Sequence, residues 1–329
     1  MATNKKRLLI TRSMAPAGWA LLRERSDIEA LEFPNAVASA DFAALLMQHA
    51  PVNGVALGVT PFGGHELDAG REFRVVARIG VGYDAVDVPA LTARRVPLMV
   101  AGTANSPSVA EQAMYMMLTL AKRGAELNAM VQGGAWNDRL TAVPFDLFEK
   151  TVLIVGFGRI GSRTAKRCQA MEMHVLVYDP YRPVSEIAAA GCEPVADLDA
   201  ALPRADFVTI HCPKTAETVG MFDAARLARM KSTAYLVNTA RGGIIDEPAL
   251  HRALTAGRLA GAGLDVFERE PTPQDNPLLK LANVVTAPHM AGVTRESLDR
   301  MGVQTARNIL SALDGRPIRE NVINPEVLD

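Results

Sequence analysis

The chain has 329 residues, more than a single hydrophobic core ordinarily serves, so two domains are expected. Hydrophobic residues make up 49% and the formal net charge is −1, with basic residues spread along the chain. This excludes a disordered composition and argues against a nucleic-acid-binding face, which shows as a basic cluster.

The three cysteines, Cys168, Cys192 and Cys212, form no CxxC pair, which fits a reducing compartment without a structural disulfide or zinc site. No apolar run has the length of a membrane span, and Thr11, Arg12 and Ser13 interrupt what a signal peptide would need as its apolar stretch. A cytoplasmic protein that takes neither nucleic acid nor membrane as partner, and no metal, is the expectation.

In chain order, RLLIT (7–11), VNGVALGV (52–59), FRVVARIG (73–80) and VPLMVAG (96–102) are short apolar runs of strand character. They predict a first, smaller α/β unit. A helical segment, SVAEQAMYMMLTLAKR, follows from Ser108. From Lys150 the alternation becomes regular, with TVLIV, HVLVY, DFVTI, AYLVN, GAGLDV and NVVTA separated by segments of helical spacing. Near-continuous Val- and Ile-rich runs are what strands buried on both faces require, so this half predicts a doubly wound parallel sheet. A second long helix begins at Thr294, and the closing RENVINPEVLD is expected to return to the first unit, making it discontinuous.

VGFGRIG places Gly156, Gly158 and Gly161 in GxGxxG spacing between a strand and a helix. Alone the pattern is weak. In this context it predicts a dinucleotide site: the first glycine permits the tight turn, the second the approach of a pyrophosphate, and the third close packing of helix on strand. The next strand ends at Asp179, whose carboxylate suits two ribose hydroxyls and repels a 2′-phosphate, so NAD is expected over NADP. The bland alternative is a packing glycine loop followed by an Asp-Pro turn.

Ligands of such sheets sit at the carboxyl ends of the strands. Three consecutive strand ends there deliver Arg241 in NTARGG, Glu270 in DVFEREP and His289 in TAPHMAG. A guanidinium fork matches a substrate carboxylate, an imidazole exchanges one proton near neutrality, and an adjacent carboxylate orients that imidazole and raises its pKa. Taken singly, a structural histidine, an ion-paired arginine and a solvated loop acid are the default readings; their joint placement reverses this. His211, in TIHCP, is assigned a cofactor-side backbone role. A Cys212–His211 nucleophile pair is disfavoured, because neighbours on an extended chain face opposite ways.

These segments, with ARIGVGYDAVDVPAL, NSPSVAEQAM, HCPKTAETVGMF, LVNTARGGIIDEPAL, APHMAGVTRES and VINP, resemble the D-isomer-specific 2-hydroxyacid dehydrogenases, such as phosphoglycerate dehydrogenases and hydroxypyruvate–glyoxylate reductases. The resemblance covers nearly the whole chain. It implies two Rossmann-like domains. One is a flavodoxin-like substrate-binding domain, 1–103 with 294–329. The other is an NAD-binding domain, 104–293. Catalysis is implied at Arg241, Glu270 and His289. Cofactor contacts are implied at Gly156, Gly158, Arg159, Ile160, Gly161, Asp179, His211, Cys212, Pro213, Thr218, Thr239, Ala240, Asp265 and Gly292, with Asp265 facing the nicotinamide amide. Val81 and Gly82 are implied to take the substrate carboxylate by their backbone, beside Arg241 and His289.

Relatives dimerise through the nucleotide domain, with an arm near Trp136, so a homodimer acting on a small 2-oxo or 2-hydroxy acid, in a cleft between the domains, is the expectation. Three departures from the family pattern stand out. Asp84-Ala85 replaces Asp-Asn, and Glu172 takes the place of a helix-ending glycine. ALGVTPF lacks the arginine of phosphoglycerate dehydrogenases, which disfavours a phosphorylated substrate. Glu270 and Val81 also disfavour formate and phosphite as substrates, since those enzymes carry glutamine and lysine there. The rival class is a non-enzymatic NAD(H)-sensing interaction protein of the same fold.

Overall fold

The computed structural model describes residues 5–329. They divide into two compact units, one of residues up to Asn105 together with Val293–Asp329, the other Ser106–Gly292. Twelve strands are distributed between them. In the first unit these are β1 Lys6–Thr11, β2 Ile28–Phe33, β3 Gly54–Leu57, β4 Val75–Arg78 and β5 Leu98–Met99. In the second they are β6 Thr151–Val155, β7 His174–Tyr178, β8 Glu193–Pro194, β9 Phe207–Ile210, β10 Tyr235–Asn238, β11 Gly261–Leu264 and β12 Val284–Thr286. Among the helices, α1 Pro16–Arg23, α2 Ser39–Gln48, α3 Gly64–Gly70 and α4 Val88–Ala93 belong to the first unit. The second holds α5 Ser106–Lys122, α6 Gly124–Gln132, α7 Gly161–Ala170, α8 Val184–Ala189, α9 Leu198–Ala201, α10 Ala224–Arg229 and α11 Glu247–Thr255, and α12 Arg295–Leu313 returns to the first.

Both sheets are parallel, as their apolar runs require. The first has the order β2-β1-β3-β4-β5, the flavodoxin-like order. Helices cover both faces: Phe33, Phe42, Leu46 and Leu67 fill one core, and Trp19, Leu22, Ile309 and Leu313 the other. Gly18 lets α1 press onto α12, since a Cβ there would lie 2.5 Å from the Gly302 carbonyl oxygen. The chain end pairs back on this sheet, with Val322 opposite Met99 and Ile323 N–H donating to the Leu98 carbonyl at 2.8 Å.

The second sheet has the order β12-β11-β10-β9-β6-β7-β8. Its direction of winding reverses between β6 and β9, and a crevice at the carboxyl ends of those strands is where such sheets take ligands. Leu153, Val208, Leu236 and Leu250 line one face's core, and Met114, Ile154, Cys168 and Val237 the other.

Two strands escape the sequence pattern. The edge strand β2 (IEALEF) is only partly buried, and its Glu29 and Glu32 pair with Arg7 on β1 and with Arg12 just after it, both at 2.8 Å. Charge on an edge breaks the apolar run that marks a buried strand. The other, β8, is an edge of two residues.

Glu172, after the end of α7, sits at φ 57, in the left-handed region where a glycine is at ease. Glu172→Gly is therefore expected to stabilise the fold by about 1 kcal/mol. A denaturant midpoint at or below that of the parent chain would contradict this.

Candidate active site

The nucleotide loop follows β6. Gly156 has φ 97, and a Cβ on it would meet Cys212 N at 2.7 Å and His211 C at 2.8 Å, so the loop lies directly against the end of β9. Gly161 opens α7 and passes so near the Gly156 carbonyl that a Cβ would stand 1.9 Å from its oxygen. A Cβ on Gly158, by contrast, would meet nothing within 4 Å. The three glycines thus serve turn, open face and close packing in turn. Arg159 and Ile160 complete the loop, Ile160 as the residue before the helix.

Asp179, just after β7, has one carboxylate oxygen accepting from Phe157 N–H at 2.7 Å and the other from Tyr181 N–H at 2.9 Å. The carboxylate is thereby tied to the glycine loop with its orientation fixed. Tyr181 hydroxyl in turn donates to Glu217, which places a second acid beside this end of the sheet.

At the end of β9, the His211 Nε2 lies 3.0 Å from Thr209 Oγ1, while its Nδ1 is enclosed without a partner. Burial holds this imidazole down at about 3, so it is neutral at physiological pH. Register puts His211 beside Thr239, one step beyond the pairing of Asn238 with Ile210, and Thr239 Oγ1 is likewise buried without a partner. Among the described residues these are two of three such buried polar atoms. Burial pushes the Cys212 thiol up to about 11. At pH 8 only about one thiol in a thousand is then thiolate, so iodoacetamide at that pH is expected to leave activity intact. Rapid inactivation with carbamidomethylation of Cys212 would contradict it. In the following turn Thr218 Oγ1 donates to the Pro213 carbonyl at 2.7 Å and closes the loop.

Asn238, the last residue of β10, is buried; its side-chain oxygen accepts from Ala240 N–H and its amide donates to the Arg241 carbonyl, both at 2.9 Å. This fixes the turn that presents Arg241, whose Nη1 donates to the Ala240 carbonyl at 2.7 Å. Asn238 was not among the residues singled out from sequence, although its place beside the arginine at a strand end was the available signal. Next to Arg241, a Cβ on Gly242 would lie 1.7 Å from the Phe267 carbonyl oxygen. Only glycine lets the arginine loop and the Glu270 loop touch backbone to backbone.

Glu270 Oε1 accepts from Phe267 N–H at 3.0 Å, and Oε2 stands 2.7 Å from His289 Nδ1. His289 is a left-handed residue, φ 55, on a side chain 48% exposed. Such a backbone needs external support. Asp265 supplies it: its carbonyl accepts from His289 N–H at 2.7 Å, and its carboxylate accepts from Met290 N–H at 2.8 Å and Ala291 N–H at 2.9 Å. Burial raises the Asp265 pKa, against the opposing pull of those two amides. Gly292 ends this loop. The backbone at and after His289 is therefore clamped by one residue, Asp265, through its carbonyl and its buried carboxylate, while the ring reaches outward to Glu270.

Val81 and Gly82 lie in the other unit, after β4. Arg78 Nε donates to the Gly82 carbonyl at 2.8 Å and its Nη1 to the Leu57 carbonyl at 3.2 Å. That guanidinium braces the loop in which Ala85 replaces the family's amide side chain.

The residues present fit an NAD molecule. A glycine loop with an open face, a fixed carboxylate at the end of β7 and unpartnered buried polar atoms at the ends of β9 and β10 stand along one edge of the sheet. Residues 114–291 match the family model described as D-isomer specific 2-hydroxyacid dehydrogenase, NAD binding domain. The chain belongs to that family. Its second unit is accordingly an NAD-binding unit.

A D-3-phosphoglycerate dehydrogenase of Archaeoglobus fulgidus is 40% identical over 261 residues, 79% of this chain and 49% of that one. A glyoxylate reductase of Korarchaeum cryptofilum is 39% identical, covering 83% of each chain. The chain spans about half the length of the first of these relatives. Among solved structures, a D-lactate dehydrogenase from Aquifex aeolicus, complexed with NAD and lactic acid, superposes with a TM-score of 0.81 at 27% identity, over 96% of this chain and 99% of that one. Among the described residues, no helix is long and apolar enough to cross a membrane and no group of side chains is arranged to hold a metal ion.

Proposed function

We propose that the chain is an NAD-dependent oxidoreductase that interconverts a D-2-hydroxy acid and its 2-oxo acid. The observation that carries this reading is the 2.7 Å pairing of His289 Nδ1 with Glu270, on loops packed against the Arg241 turn in an NAD-binding unit. NAD, when bound, supplies the hydride chemistry.

The chain's own residues do the rest. Glu270 occupies Nδ1 of His289, which fixes the tautomer and leaves Nε2 to give a proton to the carbonyl oxygen during reduction, or to take it from the hydroxyl during oxidation. The Arg241 guanidinium holds the substrate carboxylate in a two-pronged grip and polarises the neighbouring carbonyl. Val81 and Gly82 are assigned to the substrate carboxylate, and the Asp179 carboxylate to the adenosine ribose. The latter disfavours a 2′-phosphate.

A small unphosphorylated 2-oxo acid suits the stretch after β3 better than a phosphorylated one. Residues 56–60 carry no cation, and a side chain at Gly58 would meet Asn35 Oδ1 at 1.8 Å. The glyoxylate reductase relative of matching length favours the same choice, while the phosphoglycerate dehydrogenase relatives favour the other. NADH oxidation by the purified chain decides between them, with glyoxylate, hydroxypyruvate, aliphatic and aryl pyruvates and a phosphorylated 2-oxo acid compared. Turnover is expected on an unphosphorylated member. NADH binding without turnover on any member would favour the NAD-sensing alternative.

The partner we assign is a second copy of the chain. On the second unit, Val131, Trp136, Leu140, Val143 and Phe148 are all more than half exposed, clustered within eighteen residues of sequence. Isolated exposed apolar residues need no explanation, but a run of large ones marks an interface.

A further inference from the structure

We infer that Glu247 is a positioning residue for the Glu270–His289 pair, an inference that rests on the reading of that pair given above. Glu247 is the first residue of α11, yet it does not cap the helix. Asp246 does so, accepting from Ala249 N–H at 2.8 Å. Glu247 instead reaches across to the loop after β11. One of its oxygens accepts from Glu268 N–H, and the other accepts from Asn276 Nδ2 at 3.0 Å.

Those two anchor points lie two residues before Glu270 and six residues after it. A single carboxylate therefore pins both feet of the segment that carries the histidine's partner. Asn276 extends the grip, since its oxygen accepts from Leu278 N–H at 3.0 Å and starts a 3-10 turn over Pro277–Lys280. Within the segment, Phe267 N–H holds Glu270 Oε1, so Oε2 is presented to His289. A second contact of Phe267 reaches the turn of Arg241, five residues before the capping Asp246, where Gly242 abuts the Phe267 carbonyl. Glu247 and Gly242 thus fasten the arginine turn and the glutamate loop together at two points. A solvated acid at a helix start would make neither of the two bonds to the loop.

The Glu247→Ala and Glu247→Gln variants, each alone and in a Glu270→Gln background, test this. Glutamine keeps an acceptor for Glu268 N–H but sets its amide against the Asn276 amide, donor to donor, so it should retain part of the function. In Glu247→Ala, kcat is expected to fall by about tenfold to a hundredfold through misplacement of the pair, with NADH Kd unchanged. Glu247→Gln should fall between this and the parent. In the Glu270→Gln background the same substitution should add little, because the partner it positions is already lost.

Long-range proton–nitrogen spectra of histidine-labelled protein give a second readout that needs no turnover. The His289 Nδ1–H tautomer should dominate in the parent and give way to a mixture in both Glu247→Ala and Glu270→Gln. An unchanged tautomer signal in folded Glu247→Ala would overturn the inference, as would an equal loss of kcat in both backgrounds. If His289→Ala retained full turnover, the catalytic reading of the pair would fail, yet the tautomer spectra would still decide whether Glu247 holds it.

Discussion

His289→Ala is expected to lower kcat by about 10²- to 10⁴-fold, the usual contribution of a positioned acid–base group, while NADH affinity stays near that of the parent. The separation follows from geometry. The imidazole is half-exposed and points to Glu270, while the nucleotide loop is built from the ends of β6, β7 and β9. The backbone at position 289 is held by Asp265 whatever side chain it carries. Alanine should thus remove the proton donor without releasing the loop. Titration of NADH fluorescence alongside steady-state rates checks both halves. Lost NADH binding with the rate loss would make His289 a structural residue.

Asp265→Asn is expected to be nearly as damaging for a different reason. The Asp265 carboxylate is fully buried and accepts from two consecutive backbone amides, Met290 and Ala291. An asparagine has one acceptor oxygen, so its amide must face one of those N–H groups and leave it unsatisfied. The cost is about 1–3 kcal/mol of stability. The left-handed backbone of His289 then loses part of the support that such a conformation needs, and a misplaced imidazole should cost on the order of a hundredfold in kcat. Denaturant unfolding and turnover measure the two effects. The family resemblance assigns Asp265 to the nicotinamide amide. If the observed anchoring of the histidine loop is what Asp265 chiefly provides, kcat should fall far more than NADH affinity. A variant with weakened NADH binding and unchanged kcat would reverse that order.

The second sheet was legible because its inner strands are buried on both faces, so a run such as TVLIV carries little but Val, Ile and Leu. The edge strand β2 was not, because Glu29 and Glu32, which pair with Arg7 and Arg12, interrupt its apolar run. At the site, sequence yielded residue types at strand ends: Arg241, Glu270, His289 and Asp179. It did not yield what holds them. The left-handed backbone at His289 is invisible in the letters PHMAG, since histidine is not a residue that advertises it. The grips of Asn238 on the arginine turn and of Asp265 on the histidine loop are bonds from side chains to backbone amides and carbonyls. Such bonds leave no pattern of spacing, because a backbone amide is present at nearly every residue. The backbone contact at Gly242 was hidden for a related reason: a glycine pair after an arginine reads as a turn, and only the structure reveals Phe267 behind it.

The most direct test of the whole account is the fate of deuterium from NADH labelled at the transferable position, followed into the product of whichever 2-oxo acid other than glyoxylate turns over fastest, since glycolate carries no D or L configuration. The account requires a 2-hydroxy acid of D configuration, deuterated at carbon 2, formed by the parent chain and almost absent with Arg241→Lys, which keeps the charge but not the fork. A product of L configuration, deuterium left in solvent, or an Arg241→Lys variant as active as the parent would contradict it.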